Sequence, residues 1–143
     1  MQRERFLVRA HGDNLGATRA GLVHIIQSIA KDESAVIVVP DFNHLQASML
    51  ATALGEDLAK PLIKQRTLSL EDGKKISLCS AKTLKNFKYA NLYLALWCSA
   101  FVLADIEALR QWRALTLVSW LPAEGDKWAA EKKAVLLVDL VNG

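Results

Sequence analysis

Short apolar runs alternate with stretches of helical period along the whole chain. "RFLVRA" (Arg5–Ala10) predicts a first strand. Asn14–Ala30 predicts a helix, because Leu15, Leu22, Val23, Ile26 and Ile29 recur at roughly 3.6 residues, and Asp13 or Asn14 stands where an N-cap belongs. "AVIVVP" (Ala35–Pro40) is β-branched and apolar on both faces, the pattern of a parallel strand covered on both sides. Asn43–Leu54 predicts a second helix through Leu45, Met49 and Leu54. Gly55 interrupts it, and a further piece runs to about Lys64 with Pro61 as a kink or the start of a turn. "TLSLEDGKKISLCS" (Thr67–Ser80) predicts two strand arms around Glu71-Asp72-Gly73-Lys74, Asp-Gly being a hairpin signal. Ala90–Trp97 reads as a buried strand and Ala100–Trp112 as a helix. Ala114–Leu121 reads as a strand closed by Pro122, Glu124–Lys133 as a short helix anchored by Trp128, and Ala134–Val141 as the last strand.

Strand followed by helix throughout implies parallel pairing with right-handed crossovers, since parallel neighbours need a covering connection. The expected fold is α/β: a three-layer α/β/α sandwich with a mostly parallel sheet and one β-hairpin. Nothing in the sequence reads as a linker or repeat, so residues 1–143 are expected to form one α/β domain, long enough to bury a real core.

Composition narrows the function classes. A hydrophobic share of 52% argues for a globular domain and against disorder. The net charge of +3 permits nucleic-acid contact without implying it. Cys79 and Cys98 lie in apolar runs, and His11, His24 and His44 show no ligand spacing, so no metal site is expected. "MQRERFLVRA" has no long apolar core and does not read as a secretory signal. The longest uncharged run, Tyr89–Ala104, falls short of the roughly 20 residues of a membrane span. A cytoplasmic protein with no membrane partner is expected.

In open parallel sheets ligands sit beyond the carboxyl ends of the strands. That edge should carry His11, Gly12 and Asp13; Asp41, Asn43 and His44; Ser80, Lys82 and Thr83; Cys98 and Ser99; Ser119; and Asn142. It offers no evident nucleophile–base pair. The octet "HGDNLGAT" (His11–Thr18) follows the first strand. A phosphate loop of the G-x-x-x-x-G-K-[ST] kind needs glycines that turn N–H groups to the anion, a neutralising lysine and a magnesium-holding hydroxyl. Gly16 and Thr18 fill the second glycine and hydroxyl positions, but His11 replaces the first glycine and Ala17 the lysine, and Asp13 adds negative charge. Against G-x-G-x-x-G, Asn14 stands at the second glycine, while Asp41 occupies the place of a ribose-binding acid. Two readings follow. Helix N–H groups could hold a phosphate or carboxylate at His11, Gly12, Asn14, Gly16 and Thr18, with Asp41 and Ser99 nearby. Alternatively the stretch is a capped helix start with glycines for tight packing, which explains Asp13 and Asn14 without a ligand.

The run of elements resembles the RecA-like core of P-loop NTPases, especially the first domain of helicases and the related terminase motors. "AVIVVPDFNHLQASML" resembles the helicase segment in which a strand ends in a proline-bearing loop before a helix. "LSLEDGKKISLCSAKTLKNFKYANLYLALW" resembles their hairpin, short helix and next strand. "ALTLVSWLP" lies where those enzymes carry a strand ending in a Ser-containing coupling motif, and is similar to the "SWL" strand of SulA-type cell-division inhibitors, RecA-like proteins without a phosphate loop. The resemblance implies a degenerate Walker A loop and lost ATP hydrolysis. Ala17 stands at the lysine position, and the strand that should end in magnesium-binding acids ends in Trp97, Cys98 and Ser99.

Two further features bear on partners. Gly73–Ala104 contains no Asp or Glu, and Lys74, Lys75, Lys82, Lys85 and Lys88 fall within it beside Phe87 and Tyr89. Such a segment could follow a single-stranded backbone and stack a base, or be a solvated loop face. Trp97, Trp112, Trp120 and Trp128 crowd the last third, and an exposed Trp120 or Trp128 would mark a protein-partner surface. The expectation is a non-catalytic α/β domain without a cofactor that binds another macromolecule, a protein ahead of nucleic acid. The alternative is a protein, enzymatic or not, that holds a small molecule or nucleotide phosphate at Gly12–Thr18.

Overall fold

The computed structural model describes residues 3–42 and 44–141, without the side chains of residues 44–48. Seven strands form one sheet: β1 (Glu4–Arg9), β2 (Ser34–Val39), β3 (Thr67–Ser69), β4 (Lys75–Ser80), β5 (Leu92–Leu96), β6 (Ala114–Val118) and β7 (Val135–Asp139). Their spatial order is β3-β4-β2-β5-β6-β1-β7. Every neighbouring pair is parallel except β3 with β4. Five α-helices are described: α1 (Leu15–Ser28), α2 (His44–Leu54), α3 (Glu56–Gln65), α4 (Ala100–Glu107) and α5 (Pro122–Lys132).

The sheet separates two cores. On one face Leu22 and Ile25 of α1, Ile29 just beyond it, Met49 and Leu50 of α2 and Leu62 of α3 pack with Val8, Ile37, Leu94 and Val118. On the other, Leu103 and Ile106 of α4, Trp112 of the following loop and Trp128 of α5 pack with Leu7, Val36, Tyr93 and Leu117. Helices on both faces of a mostly parallel sheet make the expected three-layer α/β/α sandwich. The central strands β2, β5 and β6 are buried almost throughout, as their largely apolar sequences require. Gly21 lets α1 lie close to the sheet: a Cβ there would meet Val118 Cγ2 at 2.5 Å.

Three boundaries differ from the sequence expectation, each for a local reason. The helix expected to reach Trp112 stops at Glu107. The Trp112 indole turns back under it and donates to the Ile106 carbonyl at 2.9 Å, which also accepts the Leu109 N–H at 3.0 Å, so the chain is tied off just past the helix end. Pro122 does not close a strand but opens α5, in the first turn, where its missing N–H costs nothing. Pro61 lies inside α3, which continues through it to Gln65. The hairpin has the expected place: Leu68 pairs with Ile76, and Asp72 and Gly73 take positive φ in the turn.

Candidate functional site

The turn after β1 is tied to the end of β6. Ser119 is 1% exposed, and its Oγ accepts from the Ala10 N–H at 2.9 Å and donates to the Ala10 carbonyl at 2.7 Å. The Gly12 N–H reaches the Trp120 carbonyl at 2.8 Å, and the Asn14 N–H reaches the Gly12 carbonyl at 3.0 Å. Gly12 has φ +64, a conformation that favours glycine, and its missing Cβ faces open space.

Asn14 then caps α1, its Oδ1 accepting from the Ala17 N–H at 2.9 Å. The Thr18 N–H and hydroxyl both approach the Asn14 carbonyl, at 3.0 Å each. Thr18 is fully buried, with Met49 Sδ 3.5 Å from its hydroxyl. Four N–H groups that a phosphate loop would turn outward, those of Gly12, Asn14, Ala17 and Thr18, are therefore engaged within the protein. Gly16 and His11 are exposed, and a Cβ on Gly16 would make only ordinary contact with Leu140.

The end of β5 carries an aromatic side chain where the resemblance places acids. Trp97 takes φ +61, an uncommon conformation for a bulky residue, and is 4% exposed. Its ring belongs to the core cluster that contains Ala17, Met49 and Leu50. It meets the half-buried Trp120 edge-on, with ring centroids 6.2 Å apart. The Trp97 indole N–H has no hydrogen-bond partner among the described residues. Local sequence does not reveal this arrangement; an aromatic residue where the resemblance calls for an acid is the one signal available in it.

The other expected edge residues scatter. Asp41 lines a cavity of about 90 Å³ with Phe42, Leu50, Ile63 and Arg66, none of them from the β1 turn. Ser99 precedes α4 and makes no side-chain capping bond. Asn43 and Asn142 lie outside the described residues, as does the side chain of His44. Burial pushes the Cys79 thiol up to about 12 and raises Cys98 as well, so both thiols stay protonated and unreactive near neutral pH. No cluster of three or more His, Cys, Asp or Glu suited to a metal occurs among the described residues.

The lysine segment divides between the two ends of the sheet. Lys74 precedes β4 and Lys75 opens it, whereas Lys82 and Lys85 follow its carboxyl end. Lys75, Lys88 and Tyr89 come together in a groove of about 340 Å³ with Ser34, Ser77 and Asn86.

Trp128 is the buried anchor of α5 rather than part of a partner surface. It is 6% exposed, and its indole N–H donates to Glu107 Oε2 at 3.2 Å. Glu107 in turn holds Arg5 in a two-pronged pair at 2.7 and 2.8 Å. Burial pushes the Glu107 carboxyl up, but Arg5 and Trp128 outweigh it and the group ends below its usual range. Beside Trp128 an open cleft of about 640 Å³ runs between α4 and α5. The exposed apolar side chains of the last third are Phe101 and Leu121, and Val135, Leu136, Leu137 and Val141 in and after β7.

Comparison with known proteins bears on the fold. No protein-family model matches the chain, and no curated protein does. Among solved structures, the large terminase of a thermophilic bacteriophage is similar, with a TM-score of 0.50 and 7% sequence identity. The match takes in 96% of this chain but only 40% of the terminase chain. The likeness is one of fold, a mostly parallel sheet between two layers of helices. No helix among the described residues is long and apolar enough to cross a membrane.

Proposed function

We propose that this chain is a non-catalytic α/β domain of nucleotide-binding-core shape that acts by binding another protein, and that β7 is the docking edge. The carrying observation is the exposure of Val135, Leu136 and Leu137, three consecutive aliphatic side chains on a strand with one free side among the described residues. A bare edge offers unpaired N–H and C=O groups, and an incoming extended segment gains main-chain hydrogen bonds along it while its side chains meet the aliphatic ones. The state of the β1 turn supports the non-catalytic half of the reading. No lysine follows Gly16, four backbone donors are engaged internally, and Trp97 stands at the end of β5 in place of a metal-binding acid.

A photo-crosslinking residue at Leu136 tests the proposal in cells. The expected result is a discrete protein adduct that disappears when Val135 is also replaced by Lys. Absence of any adduct overturns the docking edge. Thermal shift with ATP, GTP, NAD and inorganic phosphate tests the other half. A saturable stabilisation that Gly16→Trp removes would reject the non-catalytic reading in favour of a small-molecule site.

A further inference from the structure

A groove lies at the amino-terminal side of β2 and β4. Ser34, Lys75, Ser77, Asn86, Lys88 and Tyr89 line it, with Val36, Phe87 and Ala90 as its apolar wall. None of these is a carboxylate, and neither lysine has an ion-pair partner among the described residues. The nearest acid in sequence to Ser34, Glu33, is already neutralised: Arg113 grips both its oxygens at 2.7 and 2.9 Å.

Tyr89 is the exceptional member. It is 77% exposed, yet the backbone around it is pinned. The Tyr93 hydroxyl donates to the Phe87 carbonyl at 2.6 Å. The Asn91 N–H reaches the Ser34 carbonyl at 3.0 Å, and Asn91 Oδ1 accepts the Ser34 N–H at 3.0 Å. Ala90, between them, is buried. An exposed ring on a fixed loop loses little freedom when a flat partner settles on it.

We propose that this groove binds single-stranded nucleic acid, with a base stacked on Tyr89 and the flanking phosphates on Lys75 and Lys88. The hydroxyls of Ser34 and Ser77 and the amide of Asn86 supply hydrogen-bond groups for a base edge or sugar. The chemistry favours a single strand over a duplex, because a stacking platform needs an unpaired base and one ring serves one base. The volume sits near the lower bound of ordinary small-ligand sites, about 300 Å³, which suits one nucleotide unit rather than a helix. This site is separate from β7, and its failure leaves the docking-edge proposal standing.

Fluorescence anisotropy with labelled 12-nucleotide dT and U strands and a 12-base-pair duplex tests it on the full chain. Binding of the single strands is expected, with a log–log salt slope of about −1.4, the value for two phosphates at ~0.7 each. Tyr89→Ala is expected to weaken binding about tenfold or more without changing that slope. The double variant Lys75→Glu, Lys88→Glu should abolish binding, while Lys127→Glu on α5, which does not line the groove, should not. Preference for RNA or for DNA identifies the source of the strand. Undetectable binding, equal binding of the duplex, indifference to Tyr89→Ala, or equally effective displacement by an acidic peptide would each overturn the proposal. Circular dichroism of the variants, all altered at exposed positions, excludes misfolding as the cause of a loss.

Discussion

The two edges of the sheet are built by opposite rules. The β3 edge is three residues long, antiparallel to its neighbour, and ends in the charged turn Glu71-Asp72-Gly73. Arg66 enters it in a left-handed conformation and lies over the Phe42 ring, 3.8 Å from its centroid. Short length, charge and a turned-away backbone are the usual defences of a strand that must not recruit another. The β7 edge has five residues, and only Asp139 among them is charged. Its pairing with β1 shifts register between Leu7 and Val8, where Leu136 and Val138 are the successive partners and Leu137 is the extra residue. Arg9 anchors its far end through Asp139, but Val135 and Leu136 are more than half exposed. One sheet thus contains a heavily guarded edge and one guarded more lightly, by a register shift and a single charge, and the difference marks where a partner is expected.

The comparison breaks most sharply at β7 itself. The double variant Val135→Lys, Leu136→Lys should lower affinity for the captured partner at least tenfold, about 1.4 kcal/mol, by quantitative pull-down. Unchanged capture would show that the bare edge is not the contact. At the guarded edge the large effect falls on stability instead. Gly73 has φ +73, and a Cβ there would collide with Asp32 Oδ1. Gly73→Val should therefore cost about 1–2 kcal/mol in denaturant unfolding while leaving partner capture intact.

Acid provides a smaller contrast, followed at two carboxylates that lie on neither edge strand. Hydrogen bonds from Arg113 hold the Glu33 carboxyl below its ordinary 4.5, and Arg5 holds Glu107 down likewise. A carboxylate depressed in the folded state adds stability above its unfolded pKa and loses it as pH falls through the folded value. The carboxylate share of the loss in melting temperature should thus set in below about pH 4, after an earlier loss from about 6.5 downward as the buried His24, its pKa lowered by burial, resists protonation. The decline should be shallower in Arg113→Gln, and a slope unaltered by that change would remove this pair from the account. The smallest expected effect is on the stability of the β7 lysine variants, within about 0.5 kcal/mol of the parent, since the replaced side chains are largely in water. A larger loss would mean that β7 contributes to the core.

Much of this contrast was hidden in the sequence, and the reason is physical. "AVIVVP" and "AVLLVDLV" begin alike, each with five apolar residues in a row, yet the first is the buried β2 and the second the exposed β7. Apolar continuity reports strand character; edge or centre depends on strand order, which no local pattern encodes. The alternation of strands and helices was legible because parallel pairing requires covering helices, and Asn14 was legible as a cap because its side chain acts on the next turn. Trp128 was legible as the anchor of its helix, but its hydrogen-bond partner Glu107 was not, since that residue comes from a distant helix. Nor was the separation of Lys75 from Lys82, near neighbours in sequence placed at opposite ends of one strand.

The two sequestered thiols have a practical consequence. Cys79 and Cys98 are each no more than 4% exposed, and their protons are held tightly. A cysteine introduced at Leu136 or Tyr89 would thus be the one sulfhydryl open to a maleimide dye under native conditions. The wild-type pair can stay in place while either face is tagged, and the fluorophore would report directly on what settles there.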